Sequence, residues 1–583
     1  MRHWMIAAAT MSKDLRLPLR VSFHLLVAAT LWSGTLQAQS TQAPAATPQA
    51  GSTPTFRAST SVVTVNIVVT DRFNQPATNL QAKDFIVQED GKPQTIRFFE
   101  KHSPTKKNQV SALPFQLPAN QFTNFRGNDP GGVVNIVLFD MLNTPMEDQV
   151  YARRQLLEFL KRLPAGQRLA LFTLSTRLKL VQGFHDDAAR LLEVATGIRP
   201  GMSAINASTE KLEQQEGTLD RGFGNNSRFA QALAEEEDFR TGHRVGLTVD
   251  AIGAIARAVA GLPGRKNLLW LSAGFPLNMG PNAELEDPMR NIASYQTQVN
   301  RMGLQLASSQ VAVYPIDVRG LVISGFDAAS SRSAAFDPAR NVKDMSWLWS
   351  THAMMDQIAE QTGGQAFYNT NGVLEAMQHA VDRASHYYSL GYVPTNRDWN
   401  GKYRNISIRA KDPYLKLQYR RGYLALPEKK LEGQLPLRLL SQAMQPGFPD
   451  STMLLMKAQV LPPDEDHPRV RIDYAIVAAN LTFLDVEGKG KTATVDFVAV
   501  VFDGKGEQAG LEVQRVEGTL RPQDMRLGFT AHQEMRVRPG KYILKLGAID
   551  INSQKIGTLE LPLTVPVTRH SGELMTKPKG KTP

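Results

Sequence analysis

The 583-residue sequence contains no cysteine. That excludes disulfides, thiol nucleophiles and cysteine-zinc sites. It does not exclude export, because an exported chain need not use disulfides. Catalytic signatures are missing too. There is no H-E-x-x-H, no G-x-S-x-G and no coherent Ser/His/Asp order, and the eleven histidines are scattered. The stretch GLPG at 261–264 lacks the spacing of a phosphate-cradling loop. An enzyme is therefore not expected. No basic helix with interleaved aromatics is present, so nucleic acid is not an expected partner. Beyond the N-terminal segment no apolar run approaches the ~20 residues that a membrane-spanning helix needs.

What is present is the composition of a folded globular protein, with 42% hydrophobic and 21% charged residues. The length implies about three or four domains. Net charge is +11; residues 1–38 carry four basic side chains and one acid, leaving the rest near +8. Within those residues, Arg16 and Arg20 precede the short apolar core VSFHLLVAATLW, and small residues lead to Ala38. This is the pattern of a secretory leader cleaved after Ala38. An exported chain follows, soluble or peripherally held, periplasmic or extracellular, with no transmembrane segment after cleavage.

Residues 39–55 are a Pro/Ala/Ser/Thr linker. In SVVTVNIVVTD, Val63, Val65, Ile67 and Val69 alternate onto one face, which predicts a half-buried strand. The Asp90-Gly91 pair predicts a hairpin, because the turn needs positive φ. Residues 56–104 thus read as a small β unit, and the Pro/Gly/Asn-rich 113–132 as a connector. From 131 to 394 strands and helices alternate. Apolar runs such as VVNIVLFD, RLALFTLS, NLLWLSAG, QVAVYPID, GQAFYNT and HYYSLGYV predict an open, mostly parallel sheet with helices on both faces, an α/β fold. A polar insertion at 203–244, including AEEEDF, reads as a mobile surface excursion. A β extension at 395–425, a linker at 426–451, a β-sandwich at 452–568 and a disordered basic tail at 569–583 complete the plan.

The strand NIVLFD with its helix-opening loop, then LALFTLSTR, GLPGRKNLLWLSAGFP and VAVYPIDVRG, occur in an order that resembles a von Willebrand factor type A domain. The flanking VTDRFNQPATNLQAKDFIVQEDGKPQTIRFFE and YYSLGYVP…GKYRNISIRAKD…YRRGYLA resemble the exported bacterial VWFA-related group, including the family called acidobacterial VWFA-related. The likeness spans about 57–425. It implies a ligand face at the carboxyl ends of the parallel strands, and in many such domains magnesium is held there by an Asp-x-Ser-x-Ser loop, a threonine and a second aspartate.

Carried over residue by residue, Asp140 matches the first aspartate and Thr144 stands for the second serine. Leu142 replaces the first serine and Ala273 the second aspartate, while Ser203 and Thr248 are both candidates for the threonine. Magnesium needs hard oxygen ligands in octahedral array, so the site is expected to be degenerate, with Asp140 and Thr144 its remnant and no cofactor. Thr144-Pro145-Met146-Glu147 also reads as a capping box, worth roughly 1 kcal/mol. Arg265 and Lys266 read as solvated turn charges. Asp140, Asn143, Thr144, Ser272, Asp317 and Arg319 are the ligand-face candidates, on a surface built from 140–147, 273–280 and 317–330. The expected function is non-catalytic, adhesion-like binding of a protein partner; a hydrolase with the insertion as lid and a structural envelope component are the alternatives.

Overall fold

The computed structural model describes residues 62–103, 118, 120–124, 133–164, 167–201, 227–262, 264–279, 293–321, 338–425, 440–446 without 442, and 450–566 with short breaks at 465–466, 468, 487–489 and 520–527. The leader, the 39–55 linker, the first part of the polar insertion with Ser203, and the C-terminal tail lie outside them. From Thr60 onward the chain clusters as one unit.

The first strands are β1 (Val63–Thr70), β2 (Phe85–Glu89), β3 (Lys92–Gln94), β4 (Ile96–His102) and β5 (Gln121–Thr123). An α/β region follows: β6 (Val134–Asp140), α1 (Met146–Lys161), β7 (Arg168–Leu174), β8 (Leu178–His185), α2 (Ala188–Thr196), α3 (Ser227–Val259), β9 (Lys266–Ser272), β10 (Asn278–Met279), β11 (Ala293–Ser294), α4 (Gln296–Ser308), β12 (Val311–Asp317), α5 (Pro338–Thr362) and α6 (Val373–Ala384). Next come β13 (Tyr387–Tyr392), β14 (Tyr403–Ala410), β15 (Lys416–Gln418) and β16 (Gly422–Leu424). The last are β17 (Met456–Leu461), β18 (Val470–Val477), β19 (Leu484–Val486), β20 (Gly490–Phe502), β21 (Gln508–Thr519), β22 (Gly528–Met535), β23 (Gly540–Asp550) and β24 (Ile556–Val565).

The sheet that positions the candidate site has the order β12-β9-β6-β7-β8. Its first four strands pair in parallel and β8 closes one edge antiparallel to β7. β6 is buried along its whole length, as an unbroken apolar run in a central parallel strand must be. Side chains alternate between two apolar layers. Ile136, Leu138, Leu268, Trp270 and Val313 share one layer with α3, α4 and α5. Val137, Phe139, Leu269, Leu271 and Tyr314 share the other with α1, α2 and α6. Asp140 falls in step with Ile136 and Leu138 and so turns toward the first layer.

Several boundaries differ from the sequence reading. HYYSLGYV supplies β13, which leaves the α/β sheet and pairs antiparallel with β1 and β4. GQAFYNT contributes a single parallel bridge, Ile316 to Phe367. The 56–104 unit and the 395–425 extension are one body: the sheets β15-β1-β13-β4 and β16-β14-β2-β3 close over a shared core holding Val63, Val65, Ile67 and Val69. β1 offers hydrogen-bonding edges that β13 and β15 fill, so strands distant in sequence complete it. Asp90 and Gly91 have φ of 48° and 79° and form the hairpin turn between β2 and β3. The described end of the polar insertion is helical rather than a loop, because α3 begins at Ser227 and runs unbroken into the core.

The C-terminal module has two sheets, β22-β18-β17-β5 and β19-β20-β23-β24 with β21 beside β20, over a common apolar core. Its fourth strand on one side, β5, comes from the segment read as a connector. Asn124 explains the docking. Its amide donates to the Ser451 and Leu454 carbonyls, both at 2.9 Å, and accepts the Met456 N–H at 2.8 Å. A polar side chain buried without such partners would be costly.

Candidate functional site

β6, β7, β9 and β12 run in parallel, so Asp140, Ser272 and Asp317 end strands at the same edge of the sheet. Asp140 is buried, and its carboxylate accepts five hydrogen bonds. Oδ1 takes the backbone N–H groups of Leu142 and Asn143, both at 3.1 Å. Oδ2 takes Asn143 Nδ2 at 2.8 Å, Trp270 Nε1 at 3.0 Å and Ser272 Oγ at 2.8 Å. Burial pushes the Asp140 carboxyl up from its ordinary range, and the hydrogen bonds from Asn143, Ser272 and Trp270 oppose that.

The cluster continues outward. Asn143 Nδ2 also donates to Thr248 Oγ1 at 2.7 Å, and Thr248 donates to the Arg244 carbonyl at 2.8 Å. Of the two candidate threonine positions, Thr248 is thus beside the strand end, while Ser203 is outside the described residues. Thr144 donates its hydroxyl hydrogen to the Asp140 carbonyl and accepts the Ala273 N–H at 3.2 Å. This corrects the capping-box reading. The helix α1 starts at Met146 with Pro145 as its cap residue and no side-chain capping bond. Thr144 is drawn away because two buried backbone groups of neighbouring strand ends need partners.

Beyond Ser272, Gly274 adopts φ of 75° and its N–H donates to Ser272 Oγ at 2.8 Å. A Cβ there would lie 2.6 Å from Thr351 Cγ2, so only glycine lets the loop approach α5 this closely.

Asp317 is fully buried and forms a second cluster. Arg319 binds it through Nε at 2.9 Å and Nη2 at 2.7 Å and also donates its backbone N–H at 3.0 Å. His352 Nε2 lies 3.1 Å from Oδ2, and its ring stacks on Tyr368 with centroids 4.1 Å apart. Burial works against the charged carboxylate, but the His352 and Arg319 hydrogen bonds outweigh it and hold Asp317 below the usual range.

The structure therefore brings Asp140, Asn143, Thr144 and Ser272 into one network and puts Asp317 with Arg319 in another. All but Arg319 are buried. Trp270 and His352 escaped the sequence reading. Trp270 was findable, since it shares a strand face with Ser272; His352 had no local signal, being 35 residues from Asp317. Arg265 and Lys266 correct another expectation. Both are buried, Arg265 donating to the Gly363 carbonyl at 2.7 Å and Lys266 to the Ser309 carbonyl at 3.0 Å. Strands packed around the turn leave no path to solvent, and burial brings the Lys266 amine down to about 8.

Magnesium would need about six oxygens near 2.0–2.1 Å. Both Asp140 oxygens are occupied by N–H and O–H donors, and the Thr144 hydroxyl is engaged twice. Leu142 is buried in the apolar layer and Ala273 brings no side-chain oxygen. The residues at this strand end do not fit the ion. Among the described residues no group of three or more His, Asp or Glu side chains is arranged to hold a metal.

No family model matches the sequence, and no curated protein does. Similar solved structures include an aerotolerance-related membrane protein from Bacteroides fragilis, 13% identical, covering 44% of this chain and 98% of that one, with a TM-score of 0.22. A von Willebrand factor type A protein from Catenulispora acidiphila is 10% identical over 59% of this chain and 73% of its own, with a TM-score of 0.22. The ArnB paralog VWA2 from Sulfolobus acidocaldarius is 10% identical over 83% and 75%, with a TM-score of 0.19. At these values the likenesses carry no argument, and the mixed α/β architecture rests on the strand pairing described above. Among the described residues no helix is long and apolar enough to cross a membrane.

Proposed function

We propose that this chain is an exported, non-catalytic protein-binding protein of the von Willebrand factor A type, which engages its partner at the rim of the strand-end face without a metal. The observation that carries the reading is the contrast between floor and rim. The polar floor at Asp140 is buried, and its carboxylate is hydrogen-bonded by Leu142, Asn143, Trp270 and Ser272. Around it, three large apolar side chains stand in solvent: Trp349 at 66% exposure, Leu321 at 58% and Met146 at 48%.

These three sit where strands end. Met146 opens α1 after β6, and Leu321 follows β12. Trp349 adjoins Ser350, whose hydroxyl accepts the N–H of Asn278, the first residue of β10, at 2.9 Å. Exposed aromatic and aliphatic groups around a rigid floor are the usual anchors of protein interfaces. Export rests on the leader pattern of residues 1–38.

Photo-crosslinking tests the reading. A photoreactive residue at 349 or 321 is expected to capture a protein in the native envelope, whereas one at Val513 on the C-terminal module captures none. Equal capture at all three positions, or loss of all capture with magnesium chelation, would overturn it.

A further inference from the structure

β1 and β15 pair antiparallel, with Val68 opposite Gln418 and Thr70 opposite Lys416. The turn that leaves β1, residues 71–75, therefore lies beside the turn that enters β15, residues 411–415. At the inner end of this pairing Gln418 donates to Gln365 Oε1 of the α/β region at 3.0 Å. The two turns extend from the outer end. Lys411 donates its N–H to the Asp84 carbonyl at 2.8 Å, which brings residues 82–84 to the same place.

Both turns are braced from within and hold an aromatic ring in solvent. Asp71 Oδ1 accepts the N–H groups of Phe73 and Gln75, each at 2.8 Å, and Asn74 adopts φ of 62°. Asp412 Oδ1 accepts the Tyr414 N–H at 2.9 Å, and Leu415 packs against the core shared by the two sheets. Phe73 and Tyr414 are each 69% exposed, so neither ring folds back onto the body that carries it. Arg72, Lys83, Arg409, Lys411 and Lys416 are exposed at the same end. Arg72 Cζ lies 4.9 Å from the Phe73 ring centroid. Among the described residues none of the five cations forms an ion pair. The three carboxylates there, Asp71, Asp84 and Asp412, each accept a backbone N–H of their own turn.

We propose that the paired turns 71–75 and 411–415 are a docking tip that sets Phe73 and Tyr414 into the surface of an anionic lipid bilayer. Two rings on two short turns present far less area than the roughly 800 Å² per partner of a stable protein interface. A bilayer surface needs less. Aromatic rings settle at the level of the headgroups, and flanking Lys and Arg reach lipid phosphates along their apolar stems. Each exposed cation adds an attraction to anionic lipid that salt screens.

The tip holds the chain peripherally at a membrane without a spanning segment. It uses none of the residues at the strand-end rim, so lipid docking and partner binding are independent.

A dye titration of the full chain tests this. The sequence has no cysteine, so Gln75→Cys takes a single polarity-sensitive thiol dye beside Phe73 and leaves both rings in place. Its emission is expected to shift to the blue with vesicles of equal parts phosphatidylglycerol and phosphatidylcholine, and much less with phosphatidylcholine alone. The same dye at Val513→Cys on the C-terminal module should not shift. Adding Lys411→Gln and Lys416→Gln is expected to raise the lipid concentration at half-shift about 30-fold. Adding Phe73→Ser and Tyr414→Ser instead should raise it roughly tenfold or more. All these side chains are exposed, and an unchanged melting temperature confirms that the variants fold. No shift with anionic vesicles, an equal shift at 513, or a shift that survives the serine changes would overturn the proposal. Crosslinking from 75 to an envelope protein, with no response to vesicles, would overturn it in favour of a protein interface.

Discussion

Ser272 donates its hydroxyl hydrogen to Asp140 Oδ2 at 2.8 Å while its own oxygen accepts the Gly274 N–H at the same distance. One serine thereby joins the ends of β6 and β9 and fixes the loop that packs against α5. The carboxylate at the centre of this arrangement is an organising group for the strand ends, and its removal has structural consequences first.

Asp140→Ala is expected to destabilise the protein by roughly 3–5 kcal/mol, because it leaves several buried donors without an acceptor. Urea unfolding at pH 7 reads this as a lower midpoint. An unchanged midpoint would contradict the hydrogen-bonding role.

Millimolar magnesium is expected to leave the melting temperature unchanged. A site filled at 100 times its Kd would add about 2.7 kcal/mol, well within detection. Leu142→Ser with Ala273→Asp is expected to cost about 3 kcal/mol and still give no magnesium response. Leu142 belongs to the apolar layer, and the Asp140 oxygens stay occupied. A magnesium-dependent shift in the unmodified protein, lost in Asp140→Ala, would reverse this conclusion.

Asp317 makes the fold sensitive to acid. Its folded-state carboxyl is held below the unfolded value of about 3.9, so its stabilisation is complete above that value and is lost as pH falls through the folded one. Arg319→Leu is expected to cost about 2–3 kcal/mol at pH 7 and to move acid unfolding to higher pH. Circular dichroism followed from pH 7 to 2 checks both shifts.

Lys266 acts in the opposite sense. Its amine falls from 10.5 to about 8 on burial, so the unfolded chain binds more protons between those values and stability rises with pH across that window. The contribution is on the order of 3 kcal/mol. Lys266→Met is expected to raise the melting temperature at pH 7 and to flatten the rise between pH 8 and 10.5. A variant that keeps the wild-type slope would show that another group causes it.

Asn124→Ala is expected to loosen the C-terminal module by about 2–3 kcal/mol, since one buried side chain makes three hydrogen bonds to it. Amide exchange should quicken in β17, beside β5. Exchange that quickens only in the α/β region would mean that Asn124 does not hold β5 against β17.

Much of this protein was legible without coordinates. The unbroken apolar run of β6, the alternation of β1 and the Asp90-Gly91 turn each follow from local rules, because periodicity and turn chemistry depend on residues a few positions apart. Asp140 was legible as a strand-end acid for the same reason. The tertiary structure decided which edges pair and which charges are sealed. β13 joins β1 across more than 300 residues, and β5 completes a sheet whose other strands begin beyond 450. The donors to Asp140 come partly from its own loop and partly from Trp270 and Ser272, 130 and 132 residues away. Local sequence sets an element and its apolar face. Its neighbours, and the fate of its polar groups, follow from matching buried hydrogen-bond donors to acceptors across the whole chain.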